Sequence, residues 1–321
     1  MNDVTIVGSV AFDDLEMPSG TFEDVLGGAA TYASISASLM ASPRLVGVVG
    51  NDFADEHLAM LKKRGIDCEG IERANGKTFR WRGRYSKDLA SRETLDTQLN
   101  VFADFKPKLP AKYTESPFVL LGNIHPALQL DVLTQVKSKQ PKLVAADTMN
   151  LWISTEPKLL GELISKIDLL IINDEEAKQL AGIDNLARAA GEIRRKFGAG
   201  RAEGHALRLI VKKGEHGALL FDDAGAFFAP AYPLEDVKDP TGAGDSFAGG
   251  VLGYLAKVGD ASPIALRRAI FHGSALGSFC VEDIGTRRLA AVTKADYRAR
   301  IDAFARFVDY GGDLWDKAGV D

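Results

Sequence analysis

Short apolar segments alternate with longer amphipathic or small-residue segments along most of the chain. Each apolar segment is almost uniformly hydrophobic, which is typical of a strand that is covered on both faces. Because helix-like patterns separate these segments, the alternation predicts an α/β fold with a mainly parallel central sheet and helices on both faces. The predicted strands of this sheet are residues 4–10, 45–49, 118–124, 143–147, 169–173 and 207–212.

Several further patterns extend this prediction. Residues 27–40 are rich in small side chains and predict a helix that packs close to its neighbours, and residues 53–64 predict a second helix. Two closely spaced apolar segments, 218–221 and 226–229, predict a hairpin. From Gly242 onward the pattern is mostly helical.

Residues 75–105 interrupt the alternation with a mixed polar and aromatic pattern. They predict a polar hairpin or lid with one face open to solvent, and residues 13–25 could pair with it. Arg80, Arg82 and Arg84 alternate along the segment, so they share one face of the predicted strand. These arginines could contact an anionic substrate, or they could keep an exposed edge strand from pairing with other chains.

Composition and charge narrow the classes of protein that this chain can belong to. Its 321 residues fit one large domain with a small inserted element. The net charge of −5 argues against a nucleic-acid partner, and no apolar run is long enough to span a membrane. Cys68 and Cys280 form no C-x-x-C pair, and the N-terminal residues lack the pattern of a signal peptide. We therefore expect a cytoplasmic protein.

The segment from Asp239 to Gly250, DPTGAGDSFAGG, carries the strongest chemical signal. Apolar residues recur at helical spacing after it, so its glycines lie at the start of a helix. Glycines allow a tight turn and a close approach to backbone N–H groups, which have no internal partner at a helix N-terminus. Together with the helix dipole, these groups favour the binding of anionic phosphate oxygens.

Asp245 is unexpected beside such a phosphate site, because a carboxylate repels phosphate. It fits there if it accepts a proton from an attacking hydroxyl, as phosphoryl transfer requires. Alternatively, Asp245 only caps the helix. The segment matches neither a Walker A loop nor a dinucleotide-binding fingerprint.

The segment DPTGAGDSF at 239–247 closely resembles the C-terminal signature of the ribokinase-like (PfkB) carbohydrate kinase family. Other matches follow in the expected order along nearly the whole chain: GSVAFD at 8–13, the glycine pair 27–28, N-x-x-E at 173–176 and VKKG at 211–214. The resemblance implies a ribokinase-like three-layer sandwich that forms a single domain over residues 1–321. It also implies a small β-sheet lid, formed by segments at about 12–26 and 75–105.

The resemblance also implies a role for each matching residue, with ATP and Mg²⁺ as cofactors. Asp245 would be the catalytic base, and the backbone of Gly242, Ala243 and Gly244 would form the anion hole. Asn173 and Glu176 would contact Mg²⁺ and its waters, and Asp239 would lie near a monovalent cation such as K⁺. The implied nucleotide contacts are Asn173, Lys212, Gly214 and Thr241. The implied substrate contacts are Asp13, Gly27, Gly28 and Tyr32. Asn173 and Glu176 could equally form a helix capping box.

Two departures from the family pattern leave the substrate open. Many members carry asparagine where Ala11 stands here, and another near Tyr32. The loss of these amides favours a nucleoside. Phe12, Tyr32 or Trp81 could stack on its base, or these aromatic residues could equally pack the core or the lid. The first hypothesis remains a kinase that transfers the γ-phosphoryl group of ATP to a hydroxyl of a small sugar. An adenosine-like nucleoside kinase is the second and a non-catalytic binding protein the third, and a homodimer through the lid is an open alternative to a monomer.

Overall fold

The computed structural model describes residues 2–136, 141–199 and 206–309, and the remaining residues of the predicted domain lie outside this range. Thirteen strands occur in these residues. They are β1 (Asp3–Val7), β2 (Ala11–Met17), β3 (Gly20–Gly27), β4 (Ser42–Val49), β5 (Asp67–Arg73), β6 (Phe79–Tyr85), β7 (Arg92–Gln98), β8 (Phe118–Leu121), β9 (Leu143–Ala146), β10 (Leu169–Asn173), β11 (Arg208–Lys212), β12 (Ala218–Asp222) and β13 (Gly225–Ala229).

Eleven α-helices accompany these strands in the same described residues. They are α1 (Ala29–Ala37), α2 (Asp55–Lys63), α3 (Pro126–Val136), α4 (Asn150–Thr155), α5 (Pro157–Lys166), α6 (Asp174–Ala181), α7 (Leu186–Gly198), α8 (Ala243–Val258), α9 (Pro263–Cys280), α10 (Arg287–Ala291) and α11 (Lys294–Val308).

Nine strands form the large sheet, in the order β13-β12-β11-β10-β9-β8-β1-β4-β5. The seven strands from β11 to β5 in this order pair in parallel, and β12 and β13 add an antiparallel hairpin at one edge. All predicted strands are present, with ends shifted by a few residues. The edge strand β5 was not predicted, because its sequence DCEGIER lacks an apolar pattern.

Helices cover both faces of the large sheet and complete three layers. Successive strand residues point to opposite faces, so Ile6 belongs to one buried cluster and Val7 to the other. Helices α1, α2, α8 and α9 contribute to the first cluster, and helices α3 to α7 contribute to the second. Burial on both faces explains why the central strands are almost wholly apolar.

Helices α1 and α8 pack close together, as the small residues of 27–40 predict for α1. A Cβ on Gly249 or Gly253 of α8 would collide with the backbone of Ala33 or Ala37 in α1. Eight residues of α1 are buried, and they include several serines and alanines. This packing fixes the start of α8, where the glycine-rich turn lies, against the start of α1.

The small sheet has the strand order β3-β2-β6-β7. Its strands overlap the segments 12–26 and 75–105, for which the sequence predicts a lid, and β2 pairs with β6 in parallel. Its inner face packs through Leu15, Met17, Val25 and Tyr85 against Ile284 of the main body. That this sheet opens and closes as a lid remains a prediction.

The opposite face of the small sheet carries paired charges. Arg80 forms ion pairs with Asp14 and Asp24, while Arg82 and Arg84 both bind Glu16. Of the two roles that the sequence left open, contact with an anionic substrate is disfavoured, because all three arginines are already paired with carboxylates of the small sheet. Their alternative role, to charge an exposed sheet face, agrees with this arrangement.

Candidate active site

The candidate site lies where the carboxyl ends of the central parallel strands meet the first turn of α8. In α/β proteins this edge is where ligands bind, because the strand ends and helix N-termini leave polar groups without internal partners. Asp147 follows β9, Asn173 ends β10 and Lys212 ends β11, so these three residues stand side by side. Gly244 and Asp245 lie opposite them in the first turn of α8.

The turn before α8 requires glycine at its first position. Gly242 adopts a left-handed conformation with a φ of 74°, and a Cβ there would overlap the ring of Tyr32. The N–H of Ala243 donates to the carbonyl of Pro240 at 3.2 Å. The N–H of Ala243, one of the three backbone donors predicted for the anion hole, is therefore already hydrogen-bonded within the turn. The role of Gly242 and Gly244 in an anion hole remains a prediction.

Asp245 lies close to other carboxylate groups. Burial is the largest influence on its carboxyl group and, together with the nearby carboxylate of Asp147, raises its pKa to about 6, although Lys212 and Arg92 oppose this shift. An aspartate with a pKa close to neutrality can both accept and release a proton at physiological pH. The role of Asp245 as the catalytic base remains a prediction.

Lys212 is the buried cation of the site. Its Nζ lies 3.5 Å from Oδ2 of Asp147, and the two side chains are only 16% and 10% exposed. Burial alone would lower the pKa of Lys212, but the carboxylates of Asp147, Glu176 and Asp245 outweigh it and raise the pKa. The family resemblance implies that Lys212 lies near the nucleotide. The structure adds that its ammonium group lies beside the glycine-rich turn.

Asn173 and Glu176 form the capping box of α6 that the sequence left open. Asn173 Oδ1 accepts the N–H of Glu176 at 2.8 Å, and Glu176 Oε2 accepts the N–H of Asn173 at 2.8 Å. Burial, followed by the charge of Asp147, raises the pKa of Glu176 to about 7. The capping box holds both side chains rigidly beside Lys212, with one Glu176 oxygen outside the capping box.

A direct metal cage is absent from this part of the chain. Within the described residues, no group of three histidine, cysteine, aspartate or glutamate side chains is arranged to hold a metal ion. The oxygens of Glu176 and Asp147 suit a hard cation such as Mg²⁺ through its bound waters, because Mg²⁺ keeps much of its water shell. The donor set therefore fits the indirect Mg²⁺ contacts that the family resemblance implies.

Asp13 and the glycine pair form a second polar region at the start of α1. A Cβ on Gly27 would overlap the Asp13 carboxylate, and a Cβ on Gly28 would collide with the backbone of Ser9 and Ala11. Burial first, and then the charges of other aspartates including Asp245, raises the pKa of Asp13 to about 8. This buried carboxyl group can exchange hydrogen bonds with hydroxyl groups of a substrate.

Two aromatic residues expected at the substrate are instead part of the core. Tyr32 is 1% exposed, and its ring supports the turn at Gly242 from below. Phe12 is 5% exposed, and its ring packs 5.6 Å from the rings of Phe53 and His57. The expectation that Tyr32 or Phe12 stacks on a substrate is therefore wrong, because the turn at Gly242 covers the Tyr32 ring, and Phe53 and His57 cover the Phe12 ring.

Asp239 and Thr241 organise the loop before α8. Both oxygens of the fully buried Asp239 carboxylate accept backbone N–H groups, from Thr241 at 2.8 Å and from Gly285 at 2.7 Å. Thr241 Oγ1 lies 2.8 Å from the hydroxyl of Tyr85 in the small sheet. Thr241 thus links the loop to the small sheet, a contact that its expected position near the nucleotide did not suggest.

Sequence reasoning missed two residues of the site. Asp147 was included in a strand without a role, and its position directly after an apolar strand was the available signal. Tyr85 was not singled out, because nothing local distinguishes it from other aromatic residues.

Gly214 follows Lys212 on an exposed turn with a φ of 54°, at the rim of the site.

Comparisons with known proteins decide the family. Residues 1–293 match the family described as pfkB family carbohydrate kinase. The chain belongs to this family. A cytidine kinase of Thermococcus kodakarensis is 31% identical over 258 residues, which cover 79% of this chain and 89% of the relative. An aminoimidazole riboside kinase of Salmonella typhimurium is 31% identical over 133 residues, 41% of this chain and 39% of that protein.

Solved structures confirm the ribokinase-like fold. The nucleoside kinase of Methanocaldococcus jannaschii, an archaeal member of the ribokinase family, superposes with a TM-score of 0.74 at 22% identity, and the match covers 94% of this chain and 99% of that one. The nucleoside kinase of Burkholderia thailandensis in complex with inosine gives a TM-score of 0.72 at 20% identity, with 94% and 98% covered. At these identities the likeness shows the fold alone.

Family membership makes this pfkB chain a phosphotransferase with an alcohol group as acceptor, whose acceptor is a sugar or a nucleoside. Kinases of this family use ATP, generally with Mg²⁺. No helix in the described ranges is long and apolar enough to cross a membrane.

Proposed function

We propose that this protein is an ATP-dependent nucleoside kinase in which Asp245 takes the proton from the acceptor hydroxyl. The observation that carries the kinase assignment is the partly exposed carboxyl group of Asp245, whose pKa is raised to about 6, beside the glycine-rich turn. The proposal includes a cytoplasmic location and a single domain over residues 1–321 whose lid is the small sheet.

In the proposed reaction, the acceptor oxygen attacks the γ-phosphorus of ATP and its proton passes to Asp245. The new O–P bond forms as the bond between the γ-phosphorus and the β–γ bridging oxygen breaks, and ADP leaves with the negative charge. Backbone N–H groups at Gly242 and Gly244 stabilise the phosphoryl oxygens at the start of α8. When bound, Mg²⁺ neutralises charge on the phosphates, and Asn173, Glu176 and Asp147 would hold it through water.

A nucleoside fits the inner face of the small sheet better than a small sugar does. Trp81 and Asp13 are register partners in β6 and β2, and the indole ring lies across Gly83, where a Cβ would overlap it. Trp81 also lies on the same face as Tyr85, which contacts Thr241 of the loop before α8. An aromatic face beside a hydroxyl-binding carboxylate suits a base attached to a ribose. The cytidine kinase relative supports the same choice.

A small sugar is the second candidate for the acceptor. Asp13 and the glycine pair form a pocket for hydroxyl groups, and this pocket would serve a free sugar equally well. In that case Trp81 would only close the site against water. A K⁺ ion near Asp239 and a homodimer through the small sheet remain predictions that neither candidate requires.

The decisive experiment measures ADP release from Mg²⁺-ATP with a panel of nucleosides, beginning with cytidine, and a panel of small sugars. The phosphorylated product is then identified by ³¹P NMR. We expect turnover with a nucleoside and phosphorylation of its 5′-hydroxyl. Trp81→Leu should raise the KM for the nucleoside about tenfold or more, since stacking on one aromatic ring contributes about 1–3 kcal/mol.

Trp152 offers a matched control, because it is also partly exposed and its indole also donates one hydrogen bond, to Asn123 in the loop after β8 rather than to a residue of the small sheet. Trp152→Leu should therefore change the nucleoside KM less than Trp81→Leu does. Turnover with sugars alone would assign the acceptor to the second candidate. Binding of ATP without turnover of any acceptor would instead support the non-catalytic hypothesis.

A further inference from the structure

The ion pair between Lys212 and Asp147 has features that a purely structural pair does not require. Both side chains are almost buried, and the separation of 3.5 Å is longer than that of a strong charge-assisted hydrogen bond, about 2.8 Å. An ammonium group carries three N–H donors. Within residues 2–136, 141–199 and 206–309, Asp147 is the one side chain within ion-pair distance of Lys212.

The ammonium group of Lys212 also lies against the glycine-rich turn. A Cβ added to Gly244 would lie 2.9 Å from Lys212 Nζ, which is closer than side chains normally approach. Glycine at 244 therefore leaves room for a cation to stand beside the first backbone N–H groups of α8. A phosphoryl group bound at this helix start would meet the ammonium group directly.

The carboxylates around Lys212 keep its ammonium group protonated by raising its pKa. Asp147, Glu176 and Asp245 all act on it electrostatically, so carboxylates outnumber the cation. ATP adds several further negative charges at the same place. In such a site a fixed positive charge aimed at the transferred group stabilises the charge that develops in the transition state.

We propose that Lys212 is a catalytic residue that contacts the γ-phosphoryl group during transfer, and that Asp147 positions its ammonium group between turnovers. Lys212 remains protonated throughout and donates hydrogen bonds to the phosphoryl oxygens. Asp147 accepts one N–H of the ammonium group, so that the remaining N–H donors of Lys212 point toward the turn at Gly244. This inference rests on the proposed kinase function, but it is independent of whether the acceptor is a nucleoside or a sugar.

The test compares the binding of ADP with that of the non-hydrolysable analogue AMP-PNP, by isothermal titration in the presence of Mg²⁺. Only AMP-PNP carries the γ-phosphoryl position. Lys212→Met should weaken AMP-PNP binding at least about tenfold and ADP binding less than about threefold. With the acceptor identified for the wild type, kcat should fall about 100- to 1,000-fold, as for the loss of a single oxyanion donor. Lys213→Met is the matched control and should leave both affinities unchanged.

Lys212→Met leaves Asp147 buried without its partner and could destabilise the fold. The double variant Asp147→Asn/Lys212→Met removes both charges and avoids this problem. It should show the same selective loss of AMP-PNP binding, whereas Lys212→Arg should retain part of it because the charge is kept.

Four results would overturn the inference. Equal loss of both nucleotides in the single variant, or normal AMP-PNP affinity in the double variant, would show that Lys212 only balances Asp147. Unchanged binding and turnover in a folded Lys212→Met variant would remove its role altogether. If the wild-type chain bound neither nucleotide, the proposed function and this inference would fail together.

Discussion

Asp245→Asn should inactivate this enzyme and stabilise it at the same time. The substitution keeps the size of the side chain but removes the proton acceptor, so turnover should fall about 100- to 10,000-fold. Nucleotide binding should be largely retained, because the backbone of the turn before α8 is unchanged. The gain in stability follows from the pKa of the carboxyl group.

The raised pKa of Asp245 sets the size of the expected gain in the free energy of unfolding. Burial and the charge of Asp147 raise the pKa of Asp245 from 3.8 to about 6. This difference corresponds to a cost of about 3 kcal/mol for the ionised form in the folded protein. Asp245 is partly exposed, so screening by solvent reduces the cost. We therefore expect the variant to gain about 1–2 kcal/mol in the free energy of unfolding at pH 8.

The pH dependence fixes the sign of this effect. Above pH 6 the carboxyl group is ionised in the folded and unfolded states, and the full cost applies to the wild type. Below its unfolded pKa of about 3.8 it is neutral in both states, and the cost disappears. The advantage of Asp245→Asn in urea unfolding should therefore be largest at pH 8 and be lost by about pH 4.

The assay is urea unfolding of both proteins at several pH values, combined with steady-state kinetics. Asp174→Asn is a suitable control, because Asp174 lies in the first turn of α6 outside the carboxylate cluster. A variant that is less stable than the wild type at pH 8, or equally stabilised at pH 4 and pH 8, would refute the electrostatic argument. Near-normal turnover would refute the assignment of the base.

Three further predictions concern the rest of the site. Gly27→Ala should raise the acceptor KM at least about tenfold and leave the ATP KM unchanged in steady-state kinetics, since the added Cβ would displace the Asp13 carboxylate. Gly191→Ala is the control, because Gly191 has open space around it. Tyr85→Phe should lower the free energy of unfolding by about 1 kcal/mol in urea, because it removes the hydrogen bond to Thr241. The kcat/KM should rise with pH through about 6, as the base ionises, and a pH-rate profile flat from pH 5 to 7 would contradict this.

The sequence alone determined the central strands, the order of the elements and the turn before α8. Strands buried on both faces must be apolar throughout, so residues such as 169–173 are recognisable locally. The turn at Gly242 and Gly244 is equally local, because few residue types allow its backbone conformation. The capping box of Asn173 and Glu176 was readable for the same reason, since all its atoms lie within four consecutive residues.

Only the tertiary structure decided which distant residues meet. Asp147 and Lys212 are far apart in sequence and become an ion pair because β9 and β11 flank β10 in the large sheet. Tyr32 lies beneath the turn at Gly242 because glycines let α8 approach α1, a contact that no local pattern encodes. The polar edge strand β5 likewise forms by pairing with β4. Such contacts depend on how elements pack, whereas periodicity reports only which face of each element is buried.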